Sequence, residues 1–357
     1  MTARWLVVLV AAVALVVTPV VVRLRPVTEV TVEPAALAAQ VQASGSIGWS
    51  GSVQSGGTLQ LPQSDSFATL GQLLGEDLDL RVWWRGPREW RVDRIRSTGE
   101  TNLFRQGRGQ VKWIFESQRA TYSPVSEIRL PDAPDVLPPT LGRTMLQGVR
   151  PEELSPLPAR RVAGVDAAGL RLTPADPAGT VARVDLWADP ASGLPLRVEV
   201  YGEGSERAVL TTTVTNLTLG APDSGTVRFS PPDGVAVVYE ESVDVVAAAN
   251  ALTFVDLPRR LGGLEARDGE DPGAVGVYGR GPTRMIVVPL RGAVSRPLRE
   301  RLSDGGAAAT ALGTLAPTGP IGVLLTPRRE RGGAFLLTGT VDAGTLQRAA
   351  AELVDAR

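Results

Sequence analysis

The sequence predicts an α+β protein that is mostly β: an N-terminal membrane helix, a long curved antiparallel sheet with a few covering helices, then a small α+β unit. Three observations carry this. Trp5 to Val22 is an uncharged run between Arg4 and Arg23. From Ile47 to Phe229 short runs at the two-residue period of strands alternate with Gly, Asn and Pro turns. Beyond Pro231-Pro232 strands and helices are mixed. At 357 residues the soluble part exceeds what one core usually organises, which favours two domains.

The apolar run has eighteen residues, roughly 27 Å as a helix and near the thickness of a bilayer's hydrocarbon core. It is longer than a signal peptide's apolar stretch and is followed by arginines, so residues 1–25 read as an uncleaved transmembrane anchor. Arg4 with the α-amine balances Arg23 with Arg25, and flanking charge therefore sets no orientation. Residues 26–44 read as a tether, helical near Pro34 to Gln42.

In the first soluble domain, 45–230, strands are expected at Ile47–Gln54, Thr58–Leu61, Leu78–Arg85, Glu89–Ile95, Thr101–Gln106, Gln110–Glu116 and Ala120–Ser123. Alternation puts Leu80, Val82 and Trp84 on one face and Arg81, Trp83 and Arg85 on the other. A short helix, Phe67–Leu74, interrupts them. Ser123–Pro139 holds five prolines and reads as a loop, followed by a helix at Leu141–Gly148. A second meander is expected at Pro158–Ala163, Gly169–Thr173, Ala182–Ala188, Pro195–Tyr201, Arg207–Leu219 and Val227–Phe229. After a linker, 231–253, the second domain, 254–357, shows strands Ala274–Tyr278 and Thr283–Leu290 and a helix Pro297–Leu302. Strands Gly322–Thr326 and Ala334–Val341 and a closing helix Ala343–Val354, capped by Asp342, complete it.

Composition narrows the chemistry. With no Cys and no His, disulfides, thiolate nucleophiles, Cys/His zinc sites and Ser-His-Asp triads are excluded, and no cofactor is implied. A net charge of −1 gives no basic face for nucleic acid. No phosphate loop, dinucleotide fingerprint or nucleophile elbow occurs, and Lys112 is the only lysine, so the chain reads as a binding protein and not an enzyme.

The candidate ligand set is apolar. Trp49, Val82, Trp84, Trp90 and Trp113 lie on first-domain strands and either line a cavity on the sheet's concave side or are ordinary core. Leu70, Leu73 and Leu74 on the first helix and Leu141, Met145 and Leu146 on the second either form a lid or are ordinary packing. Glu76, Asp77 and Asp79, and separately Asp268, Glu270 and Asp271, match no calcium loop and read as solvated turns. Arg81, Arg85, Arg88, Arg91, Arg94 and Arg96, with Glu89, Asp93 and Glu100 nearby, read as exposed cross-strand pairs, with anionic headgroups or an acidic partner as the alternative.

Trp187-Ala188-Asp189-Pro190-Ala191-Ser192-Gly193-Leu194-Pro195-Leu196-Arg197 resembles the strand-turn-strand signature of the LolA-like lipoprotein-carrier superfamily, which includes the RseB/MucB-like sigma-E regulators. Asp189-Pro190 suits the start of a turn and Gly193 a positive φ. The passage Gly276-Val277-Tyr278-Gly279-Arg280-Gly281 with its following strand is similar to the regulators' C-terminal hairpin, and Phe335–Val341 with the last helix to their closing elements. The resemblance implies an open half-barrel holding a lipid or lipoprotein acyl chain, outside the cytoplasmic membrane, as carrier or sensor. It further implies a second domain that contacts a partner such as an anti-sigma factor. The family's partner-binding segment has no residue-by-residue counterpart here.

Overall fold

The computed structural model describes residues 27–59, 68–125, 129, 131–239, 257–267, 275–328 and 333–355. The expected anchor, 1–25, lies outside them, as do the acidic residues Asp268, Glu270 and Asp271. Among the described residues no helix is long and apolar enough to cross a membrane.

The first strands are β1 (Trp49–Gly57), β2 (Asp77–Gly86), β3 (Glu89–Arg96), β4 (Gly99–Gln106), β5 (Gly109–Ile114) and β6 (Arg119–Pro124). The second set is β7 (Leu154–Val162), β8 (Val165–Leu172), β9 (Val181–Ala188), β10 (Pro195–Gly202), β11 (Leu210–Leu219) and the short β12 (Val237–Tyr239). Together they form one open sheet in the order β12-β6-β5-β4-β3-β2-β1-β11-β10-β9-β8-β7. Neighbours in sequence pair as local hairpins. Among the described residues the long-range closures are β1 against β11 and β12, which runs parallel to β6.

Pairing registers place Trp49 and Val53, Leu80, Val82 and Trp84, Trp90 and Val92, Val198 and Val200, and Leu170 and Leu186 on one continuous inner face. Helices α1 (Pro34–Ala43), α2 (Ala68–Gly75) and α3 (Pro138–Leu146) cover it. α1 falls within the stretch read as a tether, yet it is docked. Leu37 and Val41 are fully buried among Leu141, Leu170 and Leu186, and burial of each contributes about 2 kcal/mol. Glu33 caps this helix through the Ala35 and Ala36 amides.

The turn singled out in sequence explains part of that docking. The Asp189 carboxylate accepts from the Ala191 and Ser192 amides, and Gly193 has φ +71°. A Cβ on Gly193 would lie 2.6 Å from the Gln40 backbone, so glycine both permits the turn and lets α1 approach it.

Two expected strands are not there. Val227–Phe229 is a turn, and its Phe229 ring packs on Trp113 and Phe104 across the outer face. Thr58 and Leu59 leave the sheet, and the rest of that expected strand lies outside the described residues. Conversely, β7 begins at Leu154 despite Pro156 and Pro158; as the terminal strand of the sheet it tolerates missing amide donors.

A two-stranded ribbon, β13 (Arg260–Leu261) with β14 (Leu264–Glu265), leads into a smaller sheet. That sheet has β15 (Gly276–Arg280), β16 (Thr283–Arg291), β17 (Ala308–Thr310), β18 (Gly313–Thr318), β19 (Ile321–Leu325) and β20 (Gly333–Gly339) in the order β15-β16-β20-β19-β18-β17. Helix α4 (Gly292–Asp304) packs Leu302 on Ala316, Leu325 and Ala334 on one face. Helix α5 (Ala343–Asp355) packs Leu346, Ala349 and Leu353 on Met285, Leu324 and Leu337 on the other, where Leu261 and Leu264 of the ribbon join it.

Candidate functional site

The two sheets meet at the C-terminal end of α3. The β15–β16 hairpin turns at Gly281, with φ +53°, and thrusts Arg280 at the larger sheet. There Arg280 forks onto both oxygens of Glu153, at 2.5 and 2.9 Å. The Glu153 side chain is 2 % exposed and also accepts from the Ala175 and Arg150 amides. Burial alone would raise its pKa, but the bonds from Arg280 and the two amides prevail and hold the carboxyl down at about 2. Arg284 donates to the Thr144 carbonyl and the Gln147 side chain, both at 3.0 Å, and the Gly281 amide to the Gln147 carbonyl at 2.8 Å. Farther along the junction Thr180 bonds Thr340 and Pro320, and the Asp342 amide bonds the Ala178 carbonyl.

This docking forms a half-open apolar cavity of ≈ 370 Å³. Leu74 of α2 and Leu141, Thr144 and Met145 of α3 form its roof. Val181, Val200, Val209 and Leu210 are its floor, and Leu59 closes one side. Pro320, Ile321 and Thr340 of the smaller sheet form another wall. Arg129, Pro131, Asp135 and Val136 form one end, where Arg129 forks onto Asp135 at 2.6 and 2.9 Å. The volume lies in the range of small-molecule sites, and apolar walls with one charged end suit an acyl chain.

Of the residues singled out in sequence, the cavity brings together Leu74, Leu141 and Met145. Trp49, Val82, Trp84, Trp90 and Leu73 are instead closed core: they are at most 6 % exposed and pack on one another. The Trp84 and Trp90 rings stack with centroids 5.9 Å apart. Leu146 is core beside Leu37 and Val41, and Leu70's side chain lies outside the described residues. Trp113 is on the opposite face from Trp84, in a separate cluster with Phe104, Val111 and Ala120, because Asn102 and not Leu103 is its cross-strand partner. Sequence reasoning missed Leu59, Val181, Val200, Val209, Leu210 and the small-sheet wall. The strand members were readable as inner-face residues; the wall contributed by Pro320 and Ile321 follows only from how the two sheets dock.

The arginine-rich strands are only partly the exposed pairing expected of them. Arg91 forks onto Asp93 at 2.7 Å and stacks over Trp83 and Phe104, and Arg85 pairs with Glu89 at 3.1 Å. Burial raises the Asp93 pKa against the pull of Arg91. Arg94, by contrast, is an inner-face residue only 9 % exposed. Glu76, Asp77 and Asp79 are exposed, but only Glu76 lies in a bend; Asp77 and Asp79, read as part of a turn, are on β2.

No protein-family model and no curated protein matches the sequence. Solved structures do. The MucA/MucB complex of Pseudomonas aeruginosa provides a match at 16% identity over 89% of this chain and 97% of that one, with a TM-score of 0.49. A conserved protein from Thermus thermophilus matches at 15% over 58% of this chain and 98% of its own, TM-score 0.36. A LolA superfamily protein from Nitrosomonas europaea matches at 14% over 56% and 99%, TM-score 0.26.

Proposed function

We propose that the chain is a non-enzymatic binding protein that holds a lipid or lipoprotein acyl chain in the cavity between its two sheets. In this reading residues 1–25 anchor it to a membrane with the bulk of the chain on the extracytoplasmic side, where it serves as carrier or envelope sensor. The observation that carries the reading is the cavity itself: ≈ 370 Å³ walled by Leu, Val, Ile and Met side chains drawn from both sheets, their connecting loops and the covering helices α2 and α3. Each buried methylene contributes about 0.8 kcal/mol, so a medium-length tail supplies several kcal/mol before ordering costs. Mass spectrometry of the solvent extract from the full chain, purified in amphipol from a host with envelope lipids, tests this. A stoichiometric acyl lipid is expected. A chain that emerges empty and takes up no fluorescent fatty-acyl probe defeats the reading.

A second reading, binding of an envelope protein such as an anti-sigma factor, is favoured by the α4 side of the smaller sheet. There Val277, Ile286, Thr338 and Val323 form a cross-strand row that is only half-buried. Crosslinking in cells, followed by a search for membrane-protein partners lost on Ile286→Asp, separates the two readings.

A further inference from the structure

We propose that one rim of the large sheet is a membrane-facing surface, which meets anionic phosphate headgroups and turns the cavity and the smaller sheet away from the bilayer. The proposal rests on the anchor reading above, but the choice of rim stands on residues of the folded part. Because successive strands pair antiparallel, their turns alternate between two rims of the sheet. The near rim carries the β2–β3 turn at Pro87 and Arg88, the β4–β5 turn at Gly107 and Arg108, and the β7–β8 turn at Ala163 and Gly164. The β9–β10 turn at Asp189–Gly193 belongs to it as well. The far rim carries the β3–β4, β5–β6, β8–β9 and β10–β11 turns.

The chain enters at the near rim. The Thr28 amide donates to Asp166 beside the β7–β8 turn at 3.1 Å, and Arg161 holds the same carboxylate at 2.7 Å. Val30 and Val32 then pack against the core of Leu37 and Val41, so the chain is seated on the fold from Thr28 onward. Val22, the last residue of the uncharged run, is six residue steps from Thr28, which reach at most about 20 Å. The headgroup layer takes up about 6 Å of that. The near rim is thus held within about 14 Å of the headgroup surface, and the far rim stands off by a further strand, roughly 26 Å for eight residues.

Charge favours standing on this rim. Its acids are engaged: Glu89 by Arg85, Asp166 by Arg161 and Thr28, and Asp189 and Asp223 by amides of their own turns. Arg88 and Arg108 are exposed at turn tips, and among the described residues neither has an ion-pair partner. On the far rim Glu76, Asp77, Asp79, Glu116, Glu203 and Glu206 are exposed and outnumber Arg96, Arg119 and Arg207. Anionic headgroups attract the first rim and repel the second. The smaller sheet docks at the far rim, through Arg280 on Glu153 just before β7 and Pro320 beside Gly202 at the end of β10. The cavity residues Val181, Val200 and Leu210 lie towards the same end of their strands.

The chain has no cysteine, so a bimane fluorophore can be placed at one introduced cysteine at a time. The full chain is studied in nanodiscs of phosphatidylcholine and phosphatidylglycerol, some of whose headgroups carry a nitroxide quencher. Pro87→Cys and Ala191→Cys report the near rim; Ser117→Cys, in the β5–β6 turn, and Ser303→Cys, on exposed α4, report the far side. Strong quenching at 87 and 191, with little at 117 and 303, is expected. Adding Arg88→Gln and Arg108→Gln to the Pro87 variant should weaken its quenching, as should nanodiscs of phosphatidylcholine alone, because a surface arginine favours anionic lipid by about fivefold. Quenching at 87 that ignores both changes overturns the headgroup contact. Equal quenching at all four sites, or stronger quenching at 117 or 303, overturns the orientation while the anchor reading stands. A chain that separates from the nanodiscs on gel filtration removes the anchor reading itself. Quencher-bearing vesicles of the same lipids then decide: quenching at 87 and 191 alone keeps the rim as a membrane-binding surface, and no contrast among the four sites removes it.

Discussion

The inner face of the large sheet has two parts, and they are built differently. From β7 to β11 it presents Leu170, Leu172, Val184, Leu186, Val198 and Val200, and α1 and α3 cover these with Leu37, Val41, Leu141 and Leu146. That part satisfies itself. From β3 to β5 the same face carries Trp90, Val92 and Leu103 in a core with Leu73 of α2, but it also carries Arg94, Arg105 and Lys112, and Arg94 meets the Gln72 side chain. The difference teaches that one half of the sheet is covered by apolar side chains throughout, while the other sets charged residues beside its core. The cavity sits where the two meet, and the smaller sheet provides its outer wall.

The comparison breaks most visibly through the core. Trp113→Ala should cost about 4 kcal/mol, the usual loss for a buried aromatic ring, since Phe104, Val111 and Phe229 depend on it. Because Trp113 faces away from the cavity, variant protein below its melting point should still retain acyl ligand. Urea denaturation paired with probe titration checks both; loss of ligand from folded protein would place the site on the wrong face.

The junction comes next. Glu153→Gln leaves Arg280 facing a neutral amide and should cost about 3 kcal/mol by calorimetry. The pH dependence has a definite sign. The Glu153 carboxyl is held at about 2 in the folded protein, below its unfolded value of about 4.3. The pair's stabilisation is therefore complete above about pH 4.3 and is lost as pH falls towards 2. In the Gln variant that part of the acid dependence disappears, and a wild-type acid profile identical to the variant's would remove the latch from the account.

Met145→Asp should act on binding more than on stability. The side chain is half-buried and lines the cavity, so a carboxylate there should weaken an acyl probe by about tenfold, roughly 1.4 kcal/mol, with a smaller loss of stability. Equal probe affinity in titrations of variant and wild type would remove α3 from the site. The smallest effect is expected at the surface: Arg85→Ala breaks a partly exposed pair with Glu89 and should change stability by no more than about 0.5 kcal/mol in thermal melts.

The strands with the cleanest alternation were readable: β2, β3, β4 and β10 lie within a residue or two of the expected bounds. What escaped had weak local signals. β17 and β18, Ala308–Thr310 and Gly313–Thr318, consist mainly of small residues with no face to detect. β12 falls inside the stretch read as a linker and owes its strand geometry to a parallel partner more than a hundred residues earlier in the chain. Arg94 was legible in principle, because it shares parity with Trp90 and Val92; residue type suggested exposure, and position overrode it. The turn at Asp189–Gly193 was legible down to its positive φ, whereas its contact with α1 is tertiary. The aromatic residues marked the sheet correctly, and in the structure they fill core and do not line the cavity, since large rings fill a core as readily as they line a pocket.

The central claim, that an acyl ligand lies between the two sheets, is tested most directly by photolabelling. The full chain is loaded with a diazirine-bearing fatty acid, irradiated, digested and mapped. Labels on the peptides containing Leu74, Met145 and Ile321 are the predicted result, because those residues line one cavity from three separate elements. Labels confined to the Trp113 face, or to the exposed α4 side of the smaller sheet, would contradict it.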